Sequence, residues 1–410
     1  MYLLGCFLQG VFNLASGLSR TGGQLIAFRA LSGLAISCSL PSAVSVITNT
    51  FPPGQSRNIA FASMGGGQPI GFGIGLIVGG ILTDTIGFRW GFYLTAILNI
   101  ALFALSWKVI PQDRPTTSLA TIKQRLYADI DWVGALLISS SLAMISYTFA
   151  EITTSERAIQ EPVNIALLAL SLVLLPCFHF WVARQERLGR PALIPPSLWR
   201  SPVFTSICIA VFMTWGGFNA VETLLTFYFQ SVQLLSPLQA SIRFLAAPVF
   251  GLVINIAVGL LVNRVRGDVL VGTGSLIALA SPILLALAGP ETSYWKAAFP
   301  AIVLNPAGAD VLFTVANLII MERFPARTQG LAGGVFQTVS QIGKSVGLAL
   351  SAVVANSITE KSRYVDKQSP VALMEGYKAA FWFTLGLSAV TFVVGVGGLR
   401  KVGKVGLKRE

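Results

Sequence analysis

Long apolar stretches separated by short polar segments run through the whole chain. Each stretch is close to the roughly 20 residues that a helix needs to cross the hydrocarbon core of a membrane. The pattern predicts twelve membrane-spanning helices, roughly at residues 1–18, 24–49, 61–82, 90–110, 132–150, 163–183, 202–222, 238–262, 269–289, 297–320, 329–356 and 377–398. We therefore expect an all-α, multi-pass integral membrane protein.

Composition agrees with the span pattern, since 54% of the residues are hydrophobic, 11% are charged and the mean hydropathy is +0.71. The net charge of +12 could indicate a nucleic-acid partner, but such a site needs basic residues gathered on one solvated face. Here they are divided among the loops, 18 of 29 on one side of the predicted membrane and eight on the other. This bias predicts that both termini are cytoplasmic, with the basic tail against anionic lipid headgroups.

No signature of soluble enzyme chemistry accompanies these spans. The sequence has no GxxxxGK[ST] phosphate-binding loop, one histidine, and four cysteines that stand singly inside apolar spans. Metal sites need clustered ligands at short spacings. We therefore expect neither an enzyme nor a bound metal or cofactor.

The third span carries a series of glycines at helical spacing. Gly71, Gly75 and Gly79 are four residues apart, Gly80 follows, and a small residue, Ala62, precedes them. Residues four apart lie on one helix face, and small residues allow two membrane helices to approach closely. The series predicts close packing of this helix against another.

Three stretches resemble motifs of the major facilitator superfamily, and within it the fungal drug:proton antiporters with fourteen helices. The second span, with Arg29 and Gly33, is similar to the fourth-helix motif of that family. The glycine series is similar to the antiporter motif of the fifth helix, although Leu76 stands where the family usually has proline. The segment GLLVNRVRGD resembles a degraded loop motif, with Asn263 in place of aspartate.

The resemblance implies a fold of two helical bundles and a particular register. A fourth-helix motif in the second span implies that two helices of the fourteen-helix plan are missing in front. The expected parts are then a four-helix remainder (1–110), two linker helices (111–201), a six-helix bundle (202–399) and a basic tail (400–410). A complete twelve-helix transporter with altered motif spacing is the alternative.

The function implied by the resemblance is secondary active transport, in which small amphipathic organic molecules are exported in exchange for protons. The expected partners are therefore a small-molecule substrate, protons and membrane lipids, and the expected state is a monomer in the plasma membrane, with the vacuolar membrane as alternative. An import carrier of the same superfamily, or a truncated product without transport activity, stays open.

Three spans also carry polar stripes at positions i, i+4 and i+7, which lie on one helix face. Such stripes are what a transporter needs, because substrate and coupling ions bind near the bilayer midplane. The stripes are Trp215, Asn219 and Glu222 in the seventh span, Asp310, Thr314 and Asn317 in the tenth, and Gln337, Gln341 and Lys344 in the eleventh.

Arg29, Glu222 and Asp310 are the candidates for proton coupling, because charges inside a membrane are costly and normally face protein or a water-filled cavity. We expect Asp310 and Lys344 to pair in one state of the transport cycle. The remaining polar residues of the stripes, with Trp215, are candidates for lining a substrate cavity. The alternatives are a structural Arg29, a solvated Glu222, a fixed Asp310–Lys344 ion pair, and amides that only tie helices together.

Overall fold

The structure, a computed structural model, describes residues 1–51, 55–110, 130–154, 161–262, 264–324, 326–400 and 402–403. Asn263, most of the connector 111–131 and the tail beyond 403 lie outside these ranges, as does the side chain of Ala62. The predictions that concern them are therefore untested.

Twelve helical spans account for nearly all of the described residues, so the all-α prediction is confirmed. They are α1 (Tyr2–Leu18), α2 (Gly22–Thr50), α3 (Gln55–Thr85), α4 (Arg89–Val109), α5 (Trp132–Thr154), α6 (Pro162–Arg187), α7 (Pro202–Phe227), α8 (Pro237–Leu261), α9 (Gly267–Leu287), α10 (Ala298–Arg323), α11 (Ala326–Lys361) and α12 (Pro370–Gly398). Nine helices in the described ranges are long and apolar enough to cross a membrane.

Two helices depart from simple α geometry. α7 continues as a π-helical turn over Tyr228–Val232, so the span extends ten residues beyond its predicted end at 222. α8 consists of two segments, Pro237–Phe244 and Ala246–Leu261. The break has a local cause, because Pro248 has no N–H to donate to the carbonyl of Phe244.

The helices form two compact units. The first comprises α1–α4 with Leu235–Val249 of α8, and the second comprises α5–α7, the rest of α8 and α9–α12. In the first unit α1 packs against both α2 and α4, where the hydroxyl of Tyr93 donates to the carbonyl of Gly17 at 3.0 Å.

In the second unit α7 packs against α10, α11 and α12. The apolar core here includes Phe204, Val211, Leu312 and Phe336. Burial separates central from peripheral helices, since 56% of the most apolar stretch of α7 or α10 is buried inside the protein but only 6% of α4 and 11% of α6. Such extensive exposed apolar surface is typical of helices that face lipid.

Candidate functional site

α7 and α11 cross where glycines remove the side chains between them. A Cβ added at Gly216 would lie 2.9 Å from the carbonyl oxygen of Gly343 and 3.3 Å from the Cα of Gly347. Only glycine permits so close an approach of two backbones. The crossing brings the neighbours of these glycines, Trp215 and Lys344, face to face.

Lys344 lies over the indole ring of Trp215, with its Nζ 4.5 Å from the ring centroid. The ring is held by two edge-to-face contacts, with Phe218 at 5.6 Å and Phe313 at 6.4 Å between centroids. An ammonium group at this distance from an aromatic face is attracted by the ring quadrupole. Two predicted site residues from different helices are therefore in contact.

Glu222 lies two turns along α7 from Trp215, and it is partly buried. The charges that act on its carboxylate are those of Lys344 and Asp310. The helical segment that carries Glu222 continues for ten residues beyond it, to Val232.

Asp310 on α10 faces α8. Its carboxylate lies near the Asn255 amide, and a Cβ added at Gly251 would be 3.2 Å from its Oδ2. Asn255 also donates to the carbonyl of Gly251 at 2.9 Å. Within the described residues Lys344 has no carboxylate within 4 Å, so the expected Asp310–Lys344 pair is not formed in this structure.

The other predicted cavity residues differ in their surroundings. Asn317 donates to the carbonyl of Phe313 in its own helix at 2.8 Å, Asn219 and Thr314 are partly buried, and Gln337 and Gln341 are exposed. The stripe on α11 thus has an exposed amide end and a half-buried ammonium end.

Arg29 belongs to the first unit and is exposed. Its Nη1 lies 3.5 Å from Oδ1 of the buried Asn13 on α1, and its guanidinium carbon lies 5.8 Å from the ring centroid of Phe92 on α4. Ser32, one turn further along α2, donates to Oε1 of Gln9 at 3.1 Å. Arg29 is thus part of a polar seam between α1 and α2. Polar residues four apart in an apolar span, Gln9 and Asn13, were the signal that could have revealed the seam.

Among the glycines of α3, Gly80 of the predicted series contacts a neighbouring helix, and so does Gly73, which lies outside that series. A Cβ at Gly73 would meet Pro248 at 3.2 Å, and one at Gly80 would meet the Cα of Leu238 at 3.0 Å, whereas Cβ atoms at Gly71, Gly75 and Gly79 have no described neighbour within 4 Å. The helical repeat explains the difference. Residues seven apart share a face, and Gly71 and Gly75 point away from the face that carries Gly73.

Asp84 completes the face of α3 that contacts α8. Its Oδ2 accepts hydrogen bonds from the Ser236 hydroxyl at 2.8 Å and from the Leu238 backbone N–H at 3.1 Å. As numbers rise from Gly73 to Asp84 along α3, those of the α8 partners fall from Pro248 to Ser236. The two helices therefore pack antiparallel, and Asp84 caps α8 at its first turn.

A second carboxylate that sequence reasoning missed organises the helix pair α5 and α6. Asp131 is buried and accepts hydrogen bonds from the Gly134 N–H and the Trp181 indole, both at 2.8 Å, and from the Leu193 N–H at 3.3 Å. It caps α5 and ties it to α6 and to the segment after α6. Its place between a polar connector and an apolar span gave no periodic signal.

Known proteins support the family indicated by these features. A family model described as Major Facilitator Superfamily matches residues 1–348. The chain is 41% identical to "MFS-type transporter 1" of Pyricularia oryzae, over 99% of this chain and 73% of the relative. It is 23% identical to "Efflux pump terJ" of Aspergillus terreus, over 95% of this chain and 72% of that protein. A solved structure of the peptide transporter POT has the same fold, with a TM-score of 0.67 over 98% of this chain and 80% of that one, at 17% identity.

Proposed function

Since the chain belongs to the Major Facilitator Superfamily, and is thus a membrane transporter and not an enzyme, we propose that it exports small amphipathic organic molecules in exchange for protons. The observation that carries the proposal is the group formed by Glu222, Lys344 and Asp310 inside spans of one unit. Ionisable residues at membrane depth are expensive, and they mark ion pathways and proton relays.

Exchange requires that proton and substrate occupy the site alternately. A carboxylate can serve this purpose, because it is neutral with a proton and negative without one. Glu222 is the candidate proton carrier, because its carboxylate interacts with one positive group and one negative group. These are the Lys344 ammonium, which attracts the negative charge, and the Asp310 carboxylate, which repels it. Asp310, next to the Asn255 amide, is the second candidate.

The direction of transport is supported by resemblance only. One relative is named an efflux pump, and the glycine series of α3 is similar to the antiporter motif. The same resemblance supports a plan in which two linker helices, α5 and α6, join the two helical bundles. Their mutual packing suits such a pair. We also propose that the protein is a monomer in the plasma membrane, with both termini in the cytoplasm.

Vesicles with an imposed pH gradient test this proposal. The full chain is reconstituted, and rhodamine 6G is the probe. Accumulation of rhodamine 6G in vesicles with an acid lumen, above the level in protein-free vesicles, is expected for exchange with outgoing protons. Accumulation with an alkaline lumen would indicate cotransport with protons and overturn the proposal. The readout does not depend on how the protein is oriented in the bilayer.

A further inference from the structure

We propose that Lys344 is an internal cation that competes with substrate for the face of Trp215, and that the site therefore selects substrates that carry a positive charge beside an aromatic or apolar body. The inference rests on the proposed function and adds a substrate class and a residue that determines specificity. Its basis is the ammonium group 4.5 Å from the indole centroid.

Lys344 has an aromatic partner and no ionic partner within 4 Å among the described residues. Its ammonium group has no carboxylate within 4 Å among the described residues, although it lies in a membrane-spanning helix and is half-buried. The aromatic face of Trp215 is therefore a described source of stabilisation for this ammonium group. A tethered ammonium over an indole ring occupies the position that an external organic cation would take.

Two carboxylates are linked electrostatically to Lys344. The Glu222 carboxylate acts on the Lys344 ammonium, and the Asp310 carboxylate acts on Glu222. If Lys344 swings away, two carboxylates and a free aromatic face remain, which favours a cation. An organic anion would instead keep Lys344 in place and meet two negative groups.

A positively charged substrate also suits exchange with protons. A positively charged substrate and a proton compete for the same negative groups, so binding of one promotes release of the other. An anion would have the opposite effect, because it would bind together with a proton. A cationic substrate is thus the class that makes the arrangement consistent with exchange.

The aromatic surroundings define the rest of the substrate. Trp215 makes edge-to-face contacts with Phe218 and Phe313, and Phe313 lies 5.6 Å from Phe336. Phe336 is fully buried, whereas Trp215, Phe218 and Phe313 are only partly buried. A substrate with a ring system next to its charge would contact the three partly buried rings.

A pair of probes with one shape and opposite charge tests the proposal. Binding of tetraphenylphosphonium and of tetraphenylborate to the purified full chain in detergent is measured at fixed pH. We expect Lys344→Gln to bind the phosphonium about tenfold more tightly than the unmodified chain and to leave the binding of the borate unchanged. Lys344→Arg keeps a cation on the ring and should behave like the unmodified chain, as should Lys296→Gln, whose side chain is exposed and in a loop.

A double substitution separates competition for the ring from a change in charge alone. If the phosphonium binds on the ring, Trp215→Leu should remove most of the gain seen in Lys344→Gln, and Trp215→Phe should keep part of it. A gain that survives Trp215→Leu overturns the assignment to the ring. Unchanged phosphonium affinity in Lys344→Gln, borate binding that depends on Lys344, or no binding by any folded variant each overturns the proposal.

This experiment can fail independently of the proposed function. Binding at fixed pH needs no proton gradient. If the protein shows no gradient-driven transport but Lys344→Gln still binds the phosphonium more tightly, only the proposal of proton exchange is overturned. If gradient-driven transport is present but Lys344→Gln does not change phosphonium binding, only the competition between Lys344 and substrate is overturned.

Discussion

The carboxylate of Asp84 accepts a hydrogen bond from the hydroxyl of Ser236, with 2.8 Å between Oδ2 and Oγ. The same oxygen accepts from the Leu238 N–H, so one side chain from α3 satisfies two donors at the start of α8. Ser236 in turn forms a capping box with Gln239. One exposed carboxylate of α3 thus supplies both of these hydrogen bonds to the start of α8.

Asp84→Ala should weaken this junction. Charge-assisted hydrogen bonds contribute more than neutral ones, but exposure reduces the effect, so we expect a loss of about 1 kcal/mol in the free energy of unfolding. Thermal unfolding in detergent measures it. Thr83→Ala is the matched control, because the Thr83 hydroxyl donates only to the carbonyl of Gly79 in its own helix. Equal effects of the two substitutions would show that the junction contributes nothing.

The glycines of α3 give a prediction that separates its two faces. Gly80→Val should be strongly destabilising, because its side chain would collide with Leu238 and Ser241, whereas Gly75→Val should be tolerated in this chain. Overpacking costs roughly 1 to 3 kcal/mol. Folded yield after detergent extraction compares the variants. The reverse order would mean that Gly75 carries the close contact.

The crossing of α7 and α11 should be equally intolerant of side chains. Gly343→Ala places a methyl group 2.9 Å from the Cα of Phe212, while Gly333→Ala on the same helix meets no described atom within 4 Å. We expect the first to lower the unfolding temperature and to displace Lys344 from Trp215, and the second to leave both unchanged. Tetraphenylphosphonium binding and thermal unfolding report the two effects. A fully stable Gly343→Ala would refute the close crossing.

Removing the carboxylate of Asp131 should loosen the pair α5 and α6. Asp131→Ala leaves three donors without their acceptor, two backbone N–H groups and the Trp181 indole. Each buried donor without a partner costs about 1 to 3 kcal/mol. Faster cleavage by trypsin in this region is the expected result. Asp131→Asn keeps one acceptor oxygen and should be intermediate; wild-type resistance in Asp131→Ala would contradict the assignment.

Much of the fold could be predicted from the sequence, because apolar length alone determines which segments can cross a membrane. The stripes around Trp215, Glu222 and Lys344 also follow from helical periodicity. The contacts between helices could not be predicted in the same way. Periodicity identifies a face but not its partner. Gly80 of the predicted series does make a close contact, but Gly73, which makes another on the same face, was not in the series.

The carboxylates show the same limit. Asp84 lies near the end of α3 and Asp131 directly precedes α5. A single acidic residue at a helix end does not belong to a repeating pattern, so periodicity could not identify either one. Their importance depends on donors 50 to 154 residues away in the chain. Asp310 was recognised as a residue of interest, but its neighbour Asn255 was not, because it lies on a span with no polar stripe.

The most direct test of the central claim, proton exchange through Glu222, is accumulation of rhodamine 6G in acid-lumen vesicles that contain Glu222→Gln or Asp310→Asn. Downhill equilibration of the probe, measured without a gradient, controls for folding. We predict that Glu222→Gln equilibrates the probe but no longer accumulates it, because a neutral amide cannot exchange a proton. Accumulation at the wild-type level in Glu222→Gln would contradict proton exchange through Glu222, and loss of accumulation in Asp310→Asn alone would point to Asp310 as the carrier.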